Sequence, residues 1–397
     1  MNKPINARDM LRLNQQHRHA MLPQETHDER ARAEAIKAFR GKVGRLFFGG
    51  GRAIFEKEVK PAFEKAQGRA LKDHHEARKE LRKNGFFQTV TAMRRTGQEM
   101  MWSTVIDTVE REAPGLIAKS KELIAKGGTL TLDENVKVPA YNDACDIHVM
   151  PGGYHTDRLP DDITQGAILD RGAFIYHGGF PGKKFDAQAK SSIFWLKQHY
   201  PNFKPKRILD LGCSVGHATV ALSDAFPDAE VTGIDVGAPC LRYGAARAAA
   251  YGNKVNFAQM NAEKTSFPDA SFDLVYSHIL FHETSLKAIP NIINECARVL
   301  KPNGMMLHAD LPNINLIPDL YQRVCVNEDN YDNNEPFWMT MHDRDWAKDA
   351  ADAGFADIKL TATPLLIALP AESGDPEAEE RLVPGQLMFT ILAGTKA

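Results

Sequence analysis

The stretch RILDLGCSVGH at residues 207–217 decides the fold of this 397-residue chain. An apolar run ends in Asp210, a turn of small residues follows, and an alanine-rich helical pattern then begins. This order predicts a buried strand, a tight loop and the start of a helix. The loop lets a ligand approach the backbone, and a helix N-terminus favours an anionic group. We therefore expect a ligand site at this turn.

Strand-like and helix-like segments alternate from about residue 186 onward. Such alternation predicts an α/β fold with a mostly parallel sheet and helices on both of its faces. The predicted strands are 207–211, 230–235, 254–258, 272–277, 304–309, 356–363 and 386–394. The predicted helices are 187–199, 216–226, 238–251, 284–300 and one near 343–353.

The first half of the chain has a different character. Apolar residues at helical spacing predict helices at about 5–20, 26–46, 54–84, 90–112 and 116–126. Breaks are expected at Pro23, at Gly49-Gly50-Gly51, around Gly85 and at Pro114-Gly115. Three units follow from this pattern: a helical module at 1–126 for oligomerisation or site cover, a lid or linker of loops and short strands at 127–185, and an α/β domain at 186–397.

Composition restricts the class of protein. Apolar residues make up 43% and charged residues 25% of the chain, as in globular proteins. No run of about 18 apolar residues predicts a membrane span. The N-terminal residues show no apolar core of a secretory signal. The five cysteines are scattered without C-x-x-C spacing, which argues against disulfides or a zinc site. We expect a cytoplasmic protein.

Charge is divided unevenly along the chain. The net charge is −2, but residues 1–130 carry +10 and the remainder carries −12. A basic module can bind nucleic acid, dock on an acidic part of its own chain or bind a second subunit. Because the sequence shows no nucleic-acid-binding signature, docking or solvation is favoured and a nucleic-acid partner is not expected. A homodimer through the N-terminal helices stays open.

The turn at 212–216 partly matches two known patterns, the nucleophile elbow of α/β hydrolases and a dinucleotide-binding loop. Its G-x-S-x-G pattern matches the nucleophile elbow of α/β hydrolases, with Ser214 as nucleophile and His177-Gly178-Gly179 as the oxyanion loop. That loop lies only about 35 residues upstream, which leaves little room for the strands and helices between them, and Asp210 has no role in an elbow. A dinucleotide site is also disfavoured, because Ser214 replaces the second glycine of its G-x-G-x-x-G pattern.

Residues of about 187–310 resemble class I S-adenosylmethionine-dependent methyltransferases, in particular the ubiquinone/menaquinone-biosynthesis-like (type 11) group. The resemblance rests on four blocks in order: LDLGCSVG (209–216), VTGID (231–235), NAEKTSFPDASFDLVYSH (261–278) and ECARVLKPNGMML (295–307). It implies a seven-stranded Rossmann-like sheet, S-adenosyl-L-methionine as methyl donor and S-adenosyl-L-homocysteine as product. It also implies a small organic acceptor methylated at O, N, S or C. The first 185 residues lie outside it.

The resemblance implies where the donor binds. Close backbone approach is expected at Gly212, ribose recognition at Asp235 and adenine recognition at Asn261-Ala262. The full predicted cofactor set is Asp210, Gly212, Cys213, Gly216, Asp235, Val236, Asn261, Ala262 and Ser277. Two positions depart from the usual pattern, since Ser214 replaces a glycine and Asn261 a common aspartate.

A catalytic base is needed only if the acceptor must lose a proton. The principal candidates are His278 and His282, and Tyr154 and His155 in the loop Pro151–His155 are candidates to contact cofactor or acceptor. Further polar residues at the same sheet edge or in the lid are Glu283, His308, Asp310, Arg171, Tyr176 and His177. In the insertion 311–342, an acceptor pocket or ordinary core explains these side chains equally well: Tyr321, Phe337, Trp338 and Met341. No histidines share metal-ligand spacing, so no metal is expected.

Two other functions stay open. An RNA- or protein-directed methyltransferase would use the basic N-terminal module. A binding protein would keep the cofactor site without turnover. The sequence Ser277-His278 stands where many base-methylating enzymes carry an Asn-Pro-Pro-Tyr turn, which disfavours a nucleic-acid substrate.

Overall fold

The computed structural model describes residues 16–369, 371 and 379–397. Its centre is an eight-stranded sheet with these strands: β1 (Leu130–Thr131), β2 (Arg207–Leu211), β3 (Glu230–Asp235), β4 (Asn256–Gln259), β5 (Phe272–His278), β6 (Leu300–Asp310), β7 (Phe355–Leu369) and β8 (Arg381–Lys396). The seven strands predicted from the sequence are present, which confirms the predicted α/β fold. Strand β1, from the segment 127–185, adds a two-residue eighth strand.

The strand order is β1-β4-β3-β2-β5-β6-β8-β7. All pairs from β1 to β6 are parallel, and β8 runs antiparallel between β6 and β7. Strand β2 has β3 on one side and β5 on the other, so the chain changes direction across the sheet there. In such sheets ligands bind at the carboxyl ends of the strands beside this switch point.

Helices surround the sheet and build the N-terminal region. In chain order they are α1 (His27–Arg45, Gly51–Ile54 and Lys60–Gln67, joined by the π-helical turns Leu46–Gly50 and Phe55–Val59), α2 (His74–Leu81), α3 (Gly85–Ile124), α4 (Ala140–Asp143), α5 (Thr164–Tyr176), α6 (Ala187–His199), α7 (His217–Ala225), α8 (Ala238–Ala250), α9 (Ala288–Val299), α10 (Leu320–Asp332) and α11 (Trp346–Asp352). Short 3₁₀ turns lie at Ile147–Val149, Phe281–Glu283, Ile314–Leu316 and Thr340–Asp343. Within the described residues, every helix is too short or too polar to span a lipid bilayer.

Both faces of the sheet are buried. Ile208 packs in a core with α6, α7 and α8, whereas the next residue, Leu209, packs in a second core with α9 and α11. A strand covered on both faces needs consecutive apolar residues, which explains the unbroken apolar run before Asp210. The two cores hold the carboxyl ends of the strands rigidly in place.

Of the four predicted breaks in the N-terminal helices, those at Pro23 and around Gly85 are confirmed and the other two are wrong. Helix α1 continues through Gly49-Gly50-Gly51 as a π-helical turn, and α3 continues through Pro114-Gly115. Packing overrides local propensity here, because Phe47 and Leu116 on the two helices are buried in apolar clusters. The expected helix at 54–84 is interrupted after Gln67, where Gly68 takes a left-handed conformation with φ of 65°. Residues 5–15 of the expected helix at 5–20 lie outside the described residues, and residues 16–20 are not helical.

The expectation of only loops and short strands at 127–185 is also wrong, because this segment contains α5. Its glycines permit close helix packing rather than turns. A Cβ on Gly166 would lie 2.4 Å from Tyr243 Cβ of α8, and one on Gly172 would lie 2.1 Å from the Trp102 ring of α3. A glycine-rich segment therefore need not be a loop, because glycine in a helix also allows a neighbouring helix to pack closely against it.

The basic N-terminal module docks on the acidic insertion of its own chain. Arg52 forms two hydrogen bonds to Asp319 at 2.8 and 3.0 Å. Arg78 Nε lies 2.7 Å from Glu328, and Arg94 bonds Asp329 of the same helix, α10. Intramolecular docking therefore accounts for much of the charge asymmetry, as the sequence favoured.

Candidate active site

A cavity of about 240 Å³ lies at the carboxyl ends of β2, β3, β4 and β5. The predicted site residues that line it are Tyr154, His155, Asp210, Gly212, Cys213, Asp235, Val236, Asn261, Ala262 and His278. Loops after the strands form one wall of the cavity. Residues of the segment 127–185 form the other. We call the residues Asp210, Gly212, Asp235, Asn261 and Ala262 the motif wall.

The turn after β2 requires glycine at its first position. Gly212 has a φ of 65°, and a Cβ there would lie 2.6 Å from Cδ1 of Leu280, which also lines the cavity. Gly216 has a φ of 76° and caps α7, where a Cβ would lie 2.8 Å from the Phe257 ring. Gly216 therefore shapes the turn from behind the cavity rather than lining it.

Asp235 at the end of β3 joins two loops of the motif wall. Its carboxylate accepts hydrogen bonds from Ser214 N at 2.9 Å and Gly237 N at 2.8 Å. Burial raises the pKa of Asp235, although these backbone N–H groups oppose the shift. After β4, Asn261 Oδ1 accepts a hydrogen bond from Glu263 N at 2.8 Å, which fixes the loop beside Ala262.

Asp210 is a buried acid that has no cationic partner among the residues the structure describes. It accepts a hydrogen bond from Thr219 Oγ1 at 2.7 Å, and burial raises its pKa to about 7. A cation that enters the cavity would restore the charge of this carboxyl, because an opposite charge favours the ionised form.

A cluster of ionisable side chains surrounds Glu283, which lines the cavity from the turn after β5. Glu283 Oε1 accepts a hydrogen bond from Tyr154 OH at 3.0 Å and lies 3.2 Å from His148 Nε2. His148 Nδ1 lies 2.9 Å from Glu335 Oε1, and His282 Nε2 lies 3.5 Å from Glu283 Oε1. We call these residues, together with Asp310, the Glu283 network.

Opposite charges fix the protonation states within the Glu283 network. Burial alone would lower the pKa of His148, but Glu335 and Glu283 outweigh it and raise the pKa to about 10. Burial would likewise lower the pKa of His282, but Asp310, 2.7 Å away, and Glu283 raise it well above its usual value. These two cations hold the pKa of Glu283 below its ordinary range, although burial opposes this. At neutral pH both imidazoles are therefore charged and Glu283 is a carboxylate.

Two histidines on the cavity wall stay neutral. Burial lowers the pKa of His278 to about 3 and that of His177 to about 4. His278 Nε2 is buried and has no hydrogen-bond partner in the described part of the chain. Both rings therefore offer a lone pair but are weak bases.

Several predicted residues do not reach the cavity. Ser277 Oγ is buried against His308 Nδ1 at 2.5 Å, and His282 lies behind Glu283 in its pair with Asp310. Neither lines the cavity. Arg171 pairs with Glu25 at 2.8 Å instead of facing the site.

The aromatic residues of the insertion 311–342 are core rather than pocket. Tyr321 packs with the N-terminal helices, and its hydroxyl donates a hydrogen bond to the Phe47 carbonyl at 2.5 Å. Trp338 and Met341 belong to the core beneath α9 and α11. Phe337 contacts the ring of Tyr141, which lines the cavity, but does not line the cavity itself.

Sequence reasoning missed two members of the Glu283 network, His148 and Glu335. Neither lies near a recognisable motif, and they are almost 190 residues apart in the chain. His148 is held in place through its backbone, because its carbonyl accepts hydrogen bonds from Gln98 Nε2 at 3.0 Å and Trp102 Nε1 at 2.8 Å. No local sequence pattern predicts that His148 and Glu335 lie together.

The geometry supports neither a metal site nor a serine nucleophile in the described part of the chain. Among residues 16–369, 371 and 379–397, no group of three or more histidine, cysteine or acidic side chains could hold a metal ion. In the same part of the chain no histidine hydrogen-bonds Ser214 Oγ. A serine without a neighbouring base is not an activated nucleophile, so the hydrolase alternative lacks its central contact.

Comparison with known protein families decides the class of the central domain. Residues 208–304 match the family model described as a methyltransferase domain. This segment is a class I methyltransferase domain. The match covers β2 to β5 and α9, which are the elements that position the motif wall.

Curated relatives match the methyltransferase domain over part of their length. A demethylmenaquinone methyltransferase of Thermus thermophilus is 35% identical over 108 residues, 27% of this chain and 48% of the relative. A malonyl-[acyl-carrier protein] O-methyltransferase of Methylococcus capsulatus is 35% identical over 26% of this chain and 36% of the relative. Phosphoethanolamine N-methyltransferase 1 of Arabidopsis thaliana is 27% identical over 40% of this chain and 30% of the relative. The chain thus spans half or less of the length of these relatives.

Proposed function

We propose that this protein is an S-adenosylmethionine-dependent methyltransferase that acts on a small organic molecule. One observation carries the proposal. The loops after β2, β3, β4 and β5, which contain three of the four sequence blocks, line a single cavity of about 240 Å³ at the switch point of the sheet. The alternatives lack comparable support, because the basic module is docked within the chain and Ser214 Oγ accepts no hydrogen bond from, and donates none to, a histidine in the described part of the chain.

The residues of the motif wall fit this cofactor. Ser214 Oγ and His278 Nε2 are buried polar atoms without hydrogen-bond partners among the described residues, as expected where a polar ligand is to bind. Gly212 would admit the ligand close to the backbone, Asp235 would accept the ribose hydroxyls and Asn261-Ala262 would meet the adenine edge. Asp210 would face the amino group of the methionine moiety. S-adenosylmethionine, when bound, supplies an electrophilic methyl group on a sulfonium.

The remaining parts of the chain would enclose the acceptor. Tyr154, His155 and His148, from the segment 127–185, also line the cavity. Residues 1–126 would brace this lid, since Gln98 and Trp102 of α3 hold the loop of His148. Positioning of the acceptor against the methyl group and exclusion of water would supply much of the rate.

The test is a calorimetric titration with S-adenosylhomocysteine. Asp235→Ala should weaken binding about tenfold or more, because it removes the carboxylate assigned to the ribose hydroxyls. Asp228→Ala is the matched control, since Asp228 is exposed at the opposite, amino end of β3 and should leave the affinity unchanged. Equal affinities of wild type and Asp235→Ala would refute the ribose assignment. Wild-type protein that does not bind S-adenosylhomocysteine would refute the function.

We also propose a cytoplasmic location and a homodimer formed through the N-terminal helices. Two exposed aromatic side chains on these helices support the second proposal, Phe48 at 59% and Phe86 at 38% exposure. Large exposed apolar side chains that lie together favour association. Light scattering of wild type and a Phe48→Ser variant would show a dimer that the substitution converts to monomer, or a monomer in both cases if the proposal is wrong.

A further inference from the structure

Glu283 presents a carboxylate oxygen without a partner on the cavity wall. Its Oε1 atom is shared by Tyr154 and His148, whereas its buried Oε2 atom has no hydrogen-bond partner among the described residues. A buried acceptor without a donor is costly, so a ligand that brings an N–H or O–H group relieves that cost. Tyr154 and His148 belong to the segment 127–185, outside the methyltransferase motifs. Glu283 itself lies on the turn after β5 and outside the motif wall assigned to the nucleoside, so we assign the missing donor to the methyl acceptor rather than to the cofactor.

The rest of the cavity wall excludes anionic acceptors. None of the described residues that line the cavity is a lysine or an arginine. His148 lines the cavity and is charged at neutral pH, but it is already held between Glu283 and Glu335. Much of the remaining wall is apolar or aromatic: Tyr141, Leu169, Phe185, Met260, Leu280 and Ile292. A phosphate or carboxylate on the acceptor would lose its hydration without gaining a free counter-charge.

The geometry points to the class of acceptor, and this inference rests on the proposed function. We propose that the acceptor is an amine with an apolar body and no anionic group, and that its nitrogen donates a hydrogen bond to Glu283. At neutral pH the amine binds as an ammonium ion and first releases one proton to water. The nitrogen lone pair then forms the new N–C bond while the S–C bond breaks and leaves its electron pair on sulfur. The positive charge thus moves from sulfur to nitrogen, and the product is the methylated ammonium ion.

Electrostatics favours nitrogen over the other nucleophiles. A carboxylate beside the nitrogen stabilises the positive charge that develops there. A phenolate, thiolate or carbanion at the same place would be repelled by Glu283.

The experiment uses three probes of similar size and different charge. The full chain, saturated with S-adenosylhomocysteine, is titrated at pH 7.5 with 2-phenylethylamine, 2-phenylethanol and phenylacetate. We expect the amine to bind about tenfold or more tightly than either analogue, the size of one charge-assisted hydrogen bond. Glu283→Gln should abolish this preference and leave the affinity for S-adenosylhomocysteine unchanged.

Two further variants complete the design. Glu283→Asp keeps the charge and should keep the preference for the amine, which guards against a folding defect of Glu283→Gln. Glu230→Gln makes the same chemical change on an exposed carboxylate at the amino end of β3 and should behave as wild type. Incubation with radiolabelled S-adenosylmethionine should place the label on the amine alone.

Several results would overturn the inference. They are equal or tighter binding of phenylacetate or phenylethanol, no binding of any probe at 10 mM, or an amine preference that survives in Glu283→Gln. Loss of S-adenosylhomocysteine binding in Glu283→Gln would instead assign Glu283 to the cofactor and also overturn it. Wild-type protein that fails to bind S-adenosylhomocysteine would refute the proposed function itself, so the two failures are distinguishable.

Discussion

The two walls of the cavity are held in place by different kinds of interaction. In the motif wall, side chains lie at strand ends and are fixed by nearby backbone groups, as Asp235 is by the N–H groups of Ser214 and Gly237. In the Glu283 network, charged side chains from distant segments fix one another, as His148 is fixed by Glu283 and Glu335. The motif wall therefore depends on the sheet alone. The Glu283 network depends on every one of its charges.

Removal of His148 should cause the largest loss of stability. His148→Ala leaves Glu283 and Glu335 buried without the cation between them, and breaking a buried ion pair from one side costs several kcal/mol. Because a quarter of the His148 side chain is exposed, we expect a loss of about 3 kcal/mol in the free energy of unfolding. Urea denaturation followed by circular dichroism measures this loss.

The control for His148→Ala is His27→Ala. His27 also pairs with a carboxylate, Asp28 at 3.0 Å, but both side chains are almost fully exposed on the first turn of α1. Exposed pairs contribute little, so this variant should unfold with the wild type. Similar losses in both variants would show that the Glu283 network is no more important than a surface pair.

The charge of His148 makes its contribution dependent on pH. Its pKa is about 10 in the folded protein and near 6.5 when unfolded. A histidine with a raised folded pKa gives its full stabilisation below the unfolded pKa and loses it as the pH rises through the folded pKa. The difference in unfolding free energy between wild type and His148→Ala should therefore be large at pH 6 and should shrink toward pH 10.5. A difference that stays constant over this range would mean that His148 is neutral in the folded protein.

The contrast between the walls explains what the sequence could predict. Asp210, Gly212, Asp235 and Asn261 each follow a strand, and the carboxyl ends of parallel strands meet at one edge of a sheet whatever else the chain does. A pattern within a few residues of each strand was therefore enough to locate this wall.

The Glu283 network has no such local pattern. His148 has a φ of 57° in a loop whose place is set by Gln98 and Trp102 of α3, and Glu335 lies beyond α10. These contacts depend on how the N-terminal helices pack, and that packing was also where the predicted breaks at Gly49-Gly50-Gly51 and Pro114-Gly115 failed. Long-range packing is invisible to a reading based on local propensity and periodicity.

A smaller effect is expected on the motif wall from Gly212→Ala. The new Cβ would lie 2.6 Å from Leu280 Cδ1 at a φ of 65°, so the turn or the Leu280 side chain, which also lines the cavity, must shift, and S-adenosylhomocysteine should bind about tenfold more weakly. Gly252→Ala is the matched control, because Gly252 has a φ of 83° with no atom within 4 Å of the new Cβ. Gly252→Ala therefore has the energetic cost of a positive φ at a non-glycine residue but no steric clash of the new Cβ. Equal nucleoside affinities in the two variants would show that Gly212 is not needed for close approach.

The smallest expected effect separates a single hydrogen bond of the Glu283 network from its charges. Tyr154→Phe removes the donor to Glu283 Oε1 at 3.0 Å but leaves His148 and its ion pairs intact. One such bond contributes about 1 kcal/mol, so the unfolding free energy should fall by about that amount while S-adenosylhomocysteine affinity stays unchanged. Tyr200→Phe serves as the control, since its hydroxyl donates to Asp357 at 2.9 Å away from the cavity and exposed to solvent. A loss for Tyr154→Phe as large as that for His148→Ala would mean that the network is held by its hydrogen bonds and not by its charges.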